Sequence, residues 1–207
     1  MNAKLEQRER TYAAIITSAC KLLREKGVGG ARVADVMGGA GLTVGGFYAH
    51  FSSKEALLDE ALRRTGAAMR DRLFTRIEDK PLEARGEVVL KRYLSALHRD
   101  EPSGGCAFPA VVGEIATSAP EHREVLAEQV IAMATELETH LPKREGPLTR
   151  RATALAMVAL MYGGISLARA VKAKAGNAEL SDEVLRACRA FGRAALDPRE
   201  SRGDDAE

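Results

Sequence analysis

The hydrophobic positions of this chain fall into a succession of helical stripes. Tyr12, Ile15, Ile16, Ala19, Leu22 and Leu23 recur at three- and four-residue intervals and predict a first helix from about Glu6 to Lys26. Lys21, Arg24 and Lys26 suit its C-terminal end, and Gly27 stops it. Val33, Val36 and Met37 give a second, short helix the same spacing. Ala40-Gly41 breaks it, with Gly41 supplying a left-handed turn that Leu42 plugs. Thr43 reads as the N-cap of another short helix, whose Phe47 and Phe51 face inward while Val44, Gly45, Tyr48 and His50 face out. Ser52 and Glu55 form a capping box for the next helix, striped by Leu58, Leu62, Thr65, Met69, Leu73 and Ile77 as far as Pro81. Some 25 residues in that helix would make a rod of roughly 38 Å, placed to carry motion from the first part of the chain to the second.

Five more helices follow in the pattern. Val89, Leu90, Tyr93, Leu94 and Leu97 stripe the first, which fades at Asp100-Glu101-Pro102. After a Ser103-Gly104-Gly105 loop, Cys106 to Ser118 carries Phe108, Val111, Val112 and Ile115, with Pro109 fitting its first turn. Ser118 and Glu121 suggest another capping box, and Leu126, Val130, Met133, Leu137 and Leu141 stripe the helix that runs to Pro142. An uncharged helix begins near Leu148 and ends by Gly176-Asn177. Ser181-Asp182-Glu183 would cap a last one, with Leu185, Cys188 and Phe191 inward, ended by Asp197-Pro198. Strand alternation, repeats and low-complexity tracts do not emerge from the pattern. The expectation is an all-α chain of nine to ten helices. Residues 1–55 form a three-helix helix-turn-helix head, residues 56–198 a larger helical body, and residues 199–207 a disordered tail.

Composition adds little to this picture. Hydrophobic residues at 45%, charged at 29%, and aromatics at 4% with no Trp describe an ordinary helical protein. The formal net charge of +2 does not by itself imply nucleic acid. Residues 1–55 hold eight Lys or Arg against five Asp or Glu, a net +3, whereas the remainder holds 23 against 24, a net −1. That sign suits a DNA-binding head on a neutral body. Cys20, Cys106 and Cys188 are scattered, without metal-ligand spacing, and fit a reducing cytoplasm. The N-terminus lacks an apolar secretion region. Ala152 to Ala168 is 17 residues without a charge. As a helix it covers roughly 25 Å, short of the roughly 30 Å hydrocarbon core, so it reads as a buried helix and not a membrane span.

The outward face of the short helix after Gly41 offers hydroxyl and imidazole donors and small residues, with no carboxylate. Such a helix can enter a DNA major groove. From about Tyr12 to Leu62 the chain resembles the N-terminal domain of the TetR family of bacterial transcriptional regulators. Ala40-Gly41, Thr43, Gly45, Phe47-Tyr48, His50-Phe51 and Ser53-Lys54-Glu55 carry the likeness in register. Two positions depart from the family pattern. Arg32 stands where a capping Thr is usual, and Gly46 stands where Thr, Ser or Ala is usual. Gly46 beside Gly45 weakens the helix by roughly 1 kcal/mol relative to alanine.

The resemblance implies a homodimeric cytoplasmic regulator that binds a palindromic double-stranded operator and answers to an unknown small-molecule effector, with no cofactor, metal or membrane. DNA contact would come from Arg32, Thr43, Val44, Gly45, Gly46, Tyr48, His50 and Lys54. Lys4, Arg8 and Arg10 form either a phosphate-touching arm or a solvated terminus. Tyr93, His98, Cys106, Phe108, Met133, Met157, Met161 and Tyr162 are the candidate effector site, although each taken singly is more often simple core. Cys106, after two glycines at a helix start, is readable as a sensor thiolate or as a small buried residue. Ala152, Ala156, Ala159 and Gly163, with Leu185 and Phe191 of the last helix, are the candidate dimer interface. Two other classes stand beside this one. A helical adaptor would leave the Tyr48, His50 and Lys54 surface unused, and a thiol enzyme would need Cys106 with His98 or His122, a pairing of no diagnostic spacing.

Overall fold

The computed structural model describes residues 3–101, 104–143, 149–172 and 177–197. Ser103, Leu148, Gly176 and the tail at 199–207, with the loop, helix limits and disorder expected there, lie outside the described residues. Among the described residues there are nine α-helices and no strand. They are α1 (Ala3–Gly30), α2 (Val33–Gly39), α3 (Lys54–Phe74), α4 (Leu82–Tyr93), α5 (Ala96–Asp100), α6 (Phe108–Thr117), α7 (Arg123–Thr139), α8 (Arg150–Val171) and α9 (Ala178–Leu196). Short 3-10 segments span Val44–Ala49, Ile77–Asp79 and Pro120–His122. The chain forms two compact units, Met1–Ala68 with Pro102–Gln129, and Met69–Glu101 with Val130–Glu207.

In the first unit α1 is stopped where its glycine predicts. Gly27 has φ 70° and ψ −168°, a conformation closed to side-chain-bearing residues, and one further turn follows it to Gly30. α6 packs on α1, and α2 packs on both α1 and the 3-10 segment after it. The Glu114 carboxylate of α6 accepts the Gly29 amide at 2.7 Å. Ile15, Ala19, Leu23, Leu57, Leu58, Leu62, Val111 and Ile115 are fully buried in this unit. His122 is also buried, its Nδ1 2.7 Å from Asp59 Oδ1 on α3. α3 contributes its first part to this unit and its last to the second.

In the second unit α8 and α9 pair, and α4 packs against both. Glycines let them close: a Cβ on Gly164 would come within 2.9 Å of Leu94 Cδ2 and 3.0 Å of Cys188 Sγ, and one on Gly192 within 2.6 Å of Leu90 Cδ1. α8 is the one described helix long and apolar enough to cross a membrane, with mean hydropathy 1.6 in its most apolar window and 44% of that window buried. Met157, Val158, Met161, Ile165 and Ala168 are the buried positions that fix it in this unit. A polar clasp ties α5 to the α8–α9 pair. Buried Arg99 holds Asp100 at 2.7 Å, Ser181 Oγ at 2.9 Å and Asp182, while Lys172 Nζ meets Asp100 at 2.6 Å. These cations hold the Asp100 carboxyl well below its ordinary range, at about 2.

Several local expectations are corrected. α3 is capped by Ser53, whose Oγ accepts the Ala56 amide at 3.1 Å, and not by Ser52. It ends at Phe74 because Arg76 takes a left-handed conformation, φ 51°, that starts the Ile77–Asp79 turn. The next stripe breaks at Leu94 (φ −85°, ψ 53°), where Ser95 accepts the His98 amide and starts α5, leaving Leu97 54% exposed. Ser118 and Glu121 make no capping box, since Ala119 precedes the Pro120–His122 turn without a side-chain cap. α9 already begins at Ala178, so Ser181 is a buried interior residue whose hydroxyl donates to the Ala168 carbonyl at 2.6 Å, not a cap. Phe191 faces out, 69% exposed, and Cys188 is only half-buried.

Candidate nucleic-acid interface

The surface after Gly41 is built by the turn and an aromatic ladder. Gly41, at φ +72°, reverses the chain, and the Leu42 amide returns to the Met37 carbonyl at 2.9 Å. The following segment winds as a 3-10 helix, with Gly46 N to Thr43 O at 3.2 Å and His50 N to Phe47 O at 2.9 Å. The expected α-helix does not form. Two adjacent glycines remove the propensity that would hold one, and Thr43 makes no side-chain cap bond. What fixes the segment is its buried side. Phe47 and Phe51 are 1% and 6% exposed, 5.8 Å apart ring to ring, and Phe51 stacks on Tyr12 of α1 at 5.1 Å. Tyr48 crosses the edge of Phe47 at 5.1 Å and projects outward, 76% exposed.

The expected contact residues then divide by position. Thr43, Val44, Gly45, Gly46 and Tyr48 are exposed, and a Cβ on Gly45 would meet nothing within 4 Å. Arg32 stands before α2 without a cap bond, its Nε on Asp35 Oδ2 at 2.8 Å, with 76% of its side chain exposed. His50 is half-buried and shares a groove with Leu5, Arg8, Glu9 and Tyr12 of α1. Lys54 is half-buried too, its Nζ donating to the Val28 carbonyl at 3.4 Å. Its charge is thereby held near the end of α1.

The candidate effector residues are all buried, and they divide between the units. Cys106 and Phe108 belong to the first, where Cys106 is fully buried just ahead of α6. In the second, Tyr93 stacks with Tyr162 at 5.9 Å and meets His98 edge-on at 4.4 Å. His98 Nδ1 lies 2.6 Å from the Tyr93 carbonyl, and burial lowers its pKa to about 4, so the ring is neutral at physiological pH. Met133, Met157 and Met161 are buried in the same unit. Beside His98 a cleft of about 460 Å³, which no local pattern in the sequence marks, opens between the end of α3 and the α4–α5 break. Of the candidate interface residues, Ala156, Ala159 and Gly163 of α8 are exposed and Ala152 is half-buried. Phe191 is exposed on α9, whereas Leu185 of the same helix is buried within the single chain. Among the described residues no group of three His, Cys, Asp or Glu could hold a metal.

α2, the Gly41 turn and the Val44–Ala49 segment together have the form of a helix-turn-helix, an element suited to a DNA major groove. Residues 15–61 match the model for bacterial regulatory proteins of the tetR family, so the first part of the chain is similar to the DNA-binding domain of those regulators. No protein of curated function matches it in sequence. Solved structures share its fold. The reduced form of Escherichia coli NemR is similar with 19% identity and TM-score 0.73, over 88% of this chain and 94% of that one. A TetR-family regulator from Cytophaga hutchinsonii is 23% identical at TM-score 0.71, over 91% and 95% of the two chains. One from Agrobacterium tumefaciens is 16% identical at 0.69, over 88% and 97%.

Proposed function

We propose that the protein is a homodimeric cytoplasmic repressor without catalytic activity, which binds a palindromic operator and is released by a small-molecule effector. The observation that carries the reading is the outward face of the Val44–Ala49 segment, with Val44 48% and Tyr48 76% exposed on a buried aromatic anchor. Large side chains held rigidly out of a core at such a turn are suited to a major groove. Arg32, Thr43, Tyr48 and Lys54 contact phosphate, and Val44, Gly45, Gly46 and His50 approach base edges. Two such heads in a dimer address half-sites about 34 Å apart. The dimer forms through the α8 and α9 faces that carry Ala152, Ala156, Ala159, Gly163 and Phe191, while Leu185 is buried within the single chain. Exposed Leu155, Leu167 and Leu180 extend those faces.

Release by modification of Cys106 is the second route. Full burial of that residue favours the small-molecule route, because a thiol must be reached before it reacts. A thiol enzyme has less support still: His98 Nδ1 lies on the Tyr93 carbonyl and His122 Nδ1 on Asp59. Selection from random duplexes, with sequencing of the retained pool, tests the main reading. A palindrome enriched by the wild type and lost by Tyr48→Ala is expected; equal retention of all sequences at low salt by a folded dimer would refute it.

A further inference from the structure

The side chains that could read base edges after the Gly41 turn are few, and their chemistry is narrow. From Thr43 to His50 the segment holds no Arg, Lys, Asn, Gln, Asp or Glu. Those six types make the hydrogen bonds that identify guanine, adenine and cytosine in the major groove. Arg32 and Lys54 lie outside the segment, before α2 and at the start of α3. Gly45 and Gly46 are exposed without side chains, and a Cβ on either would meet nothing closer than Met37 Cε at 3.9 Å. Phe47 is spent as the buried anchor, and His50 is half-buried against α1.

That inventory leaves Val44. It is the first residue of the Val44–Ala49 segment, and the N-terminal residues of a recognition helix are those that reach base edges. Its side chain is 48% exposed, although valine is ordinarily a core residue. Phe47 and Phe51 already hold the segment down, so packing within the chain does not account for an apolar side chain at this position. A β-branched side chain is stiff at χ1, so its two methyls are presented at little cost in rotamer freedom. Among the major-groove edges of the four bases, only that of thymine carries an apolar group, the C5 methyl.

We infer that Val44 reads thymine. In each operator half-site its methyls pack on the C5 methyl of one thymine, and this apolar contact, not a hydrogen bond, sets the base preference at that position. The contact rests on the operator-binding reading of the Val44–Ala49 face and adds the base which that face selects. Cytosine at the same place lacks the methyl and turns an N4 amino donor toward a side chain that accepts no hydrogen bond. 5-Methylcytosine puts the methyl back, so the protein distinguishes methylated from unmethylated cytosine there. Removing one methyl from such a contact weakens binding about fourfold, and a symmetric dimer counts it twice, about fifteenfold for both half-sites.

The test uses the full-length protein and the palindrome retained from random duplexes. Each thymine of the half-site is replaced in turn, in both halves, by deoxyuridine, which lacks only the methyl, and affinity is read by fluorescence anisotropy. One position is expected to lose about fifteenfold. At that position 5-methylcytosine opposite guanine should bind more tightly than cytosine by a similar factor. Val44→Ala, which leaves the Phe47 and Phe51 anchor in place, should bind the thymine and uracil operators alike. Tyr48→Phe should weaken both by one common factor. No loss at any deoxyuridine, or a Val44→Ala protein that still separates thymine from uracil as the wild type does, would overturn the thymine contact and leave operator binding standing. A folded dimer that enriches no duplex removes the operator reading, and the contact with it.

Discussion

Replacing Gly27 by alanine tests how the first unit is held together. The backbone there sits at φ 70° and ψ −168°, a region open in practice to glycine alone, so any side chain costs about 1–3 kcal/mol in conformation. An added Cβ would also lie 1.8 Å from Glu114 Oε1, too close for any contact. The carboxylate must swing away and surrender the Gly29 amide at 2.7 Å. A charge-assisted hydrogen bond is worth about 1.5–3 kcal/mol when sheltered, and the exposure of Gly29 reduces this one to about 1 kcal/mol. Gly27→Ala should therefore destabilise by about 2–4 kcal/mol, which for a chain of this size lowers the melting temperature on the order of 10 °C. Glu114→Ala alone should cost about 1 kcal/mol. In the double variant the clash and the bond are both already gone, so adding Gly27→Ala to Glu114→Ala should cost only the conformational part. Denaturant melts of the four proteins give the coupling, expected at about 1 kcal/mol. A Gly27→Ala protein that melts like wild type, or a penalty identical in both backgrounds, would show that α6 does not clasp the end of α1 in this way.

Three further outcomes follow from single sites. His98 has a folded pKa of about 4, below its unfolded value near 6.5, so its contribution to stability is complete above pH 6.5 and is lost as pH falls toward 4; at about 1.4 kcal/mol per unit the loss approaches 3 kcal/mol, and melts of wild type against His98→Gln across that range should lose their difference in slope only if the ring is not the cause. Gly46→Ala meets nothing closer than Met37 Cε at 3.9 Å, so it should stabilise the head by about 0.4–1 kcal/mol in a thermal melt; a loss of operator affinity at the same time would mean that the bare backbone approaches DNA, and a fall in stability would contradict the open geometry. Phe191→Glu places charge at a side chain 69% exposed in the single chain, so monomer stability should hold while sedimentation at micromolar protein shifts from dimer to monomer; an unchanged dimer would move the interface elsewhere.

The helical order of this chain was written in its periodicity, because burial of one face per helix is a local property of sequence. The stripe Leu58, Leu62, Thr65, Met69, Leu73 and Ile77 is buried throughout, and Phe47 and Phe51 point inward as their spacing requires. Glycines with one permitted backbone were also legible: Gly27 and Gly41 both take positive φ where the pattern ends a helix. Capping was less so, because several Ser and Thr compete for each end. Ser53 won over Ser52, and Ser181 was drawn inside α9 by its bond to Ala168 and by Arg99, a partner 82 residues away. A stripe is likewise silent about a break within it. Leu94 and Leu97 keep the spacing of α4 but fall on either side of the turn that Ser95 initiates.

The candidate sites divide along the same line. The turn before Val44, the aromatic anchor and exposed Tyr48 lie within a dozen residues of one another, so short-range pattern sufficed to find them. The 3-10 winding did not follow from pattern, since it is the balance between two glycines that disfavour an α-helix and two phenylalanines that hold the segment down. The cleft beside His98 had no local signature at all. Arg72 and Arg92 are 20 positions apart, on helices whose stripes looked continuous, and they face one cleft only because α3 stops at Phe74 and α4 stops at Tyr93. Buried aromatics such as Tyr93 and Tyr162 drew the sequence reading toward the core, where they stack on each other at 5.9 Å. The arginines lie at the helix ends instead, where Arg92 donates to the carbonyls of Leu73 and Thr75. A cleft made by two helix terminations depends on where helices stop, and that is the feature of this chain that its periodicity encodes least.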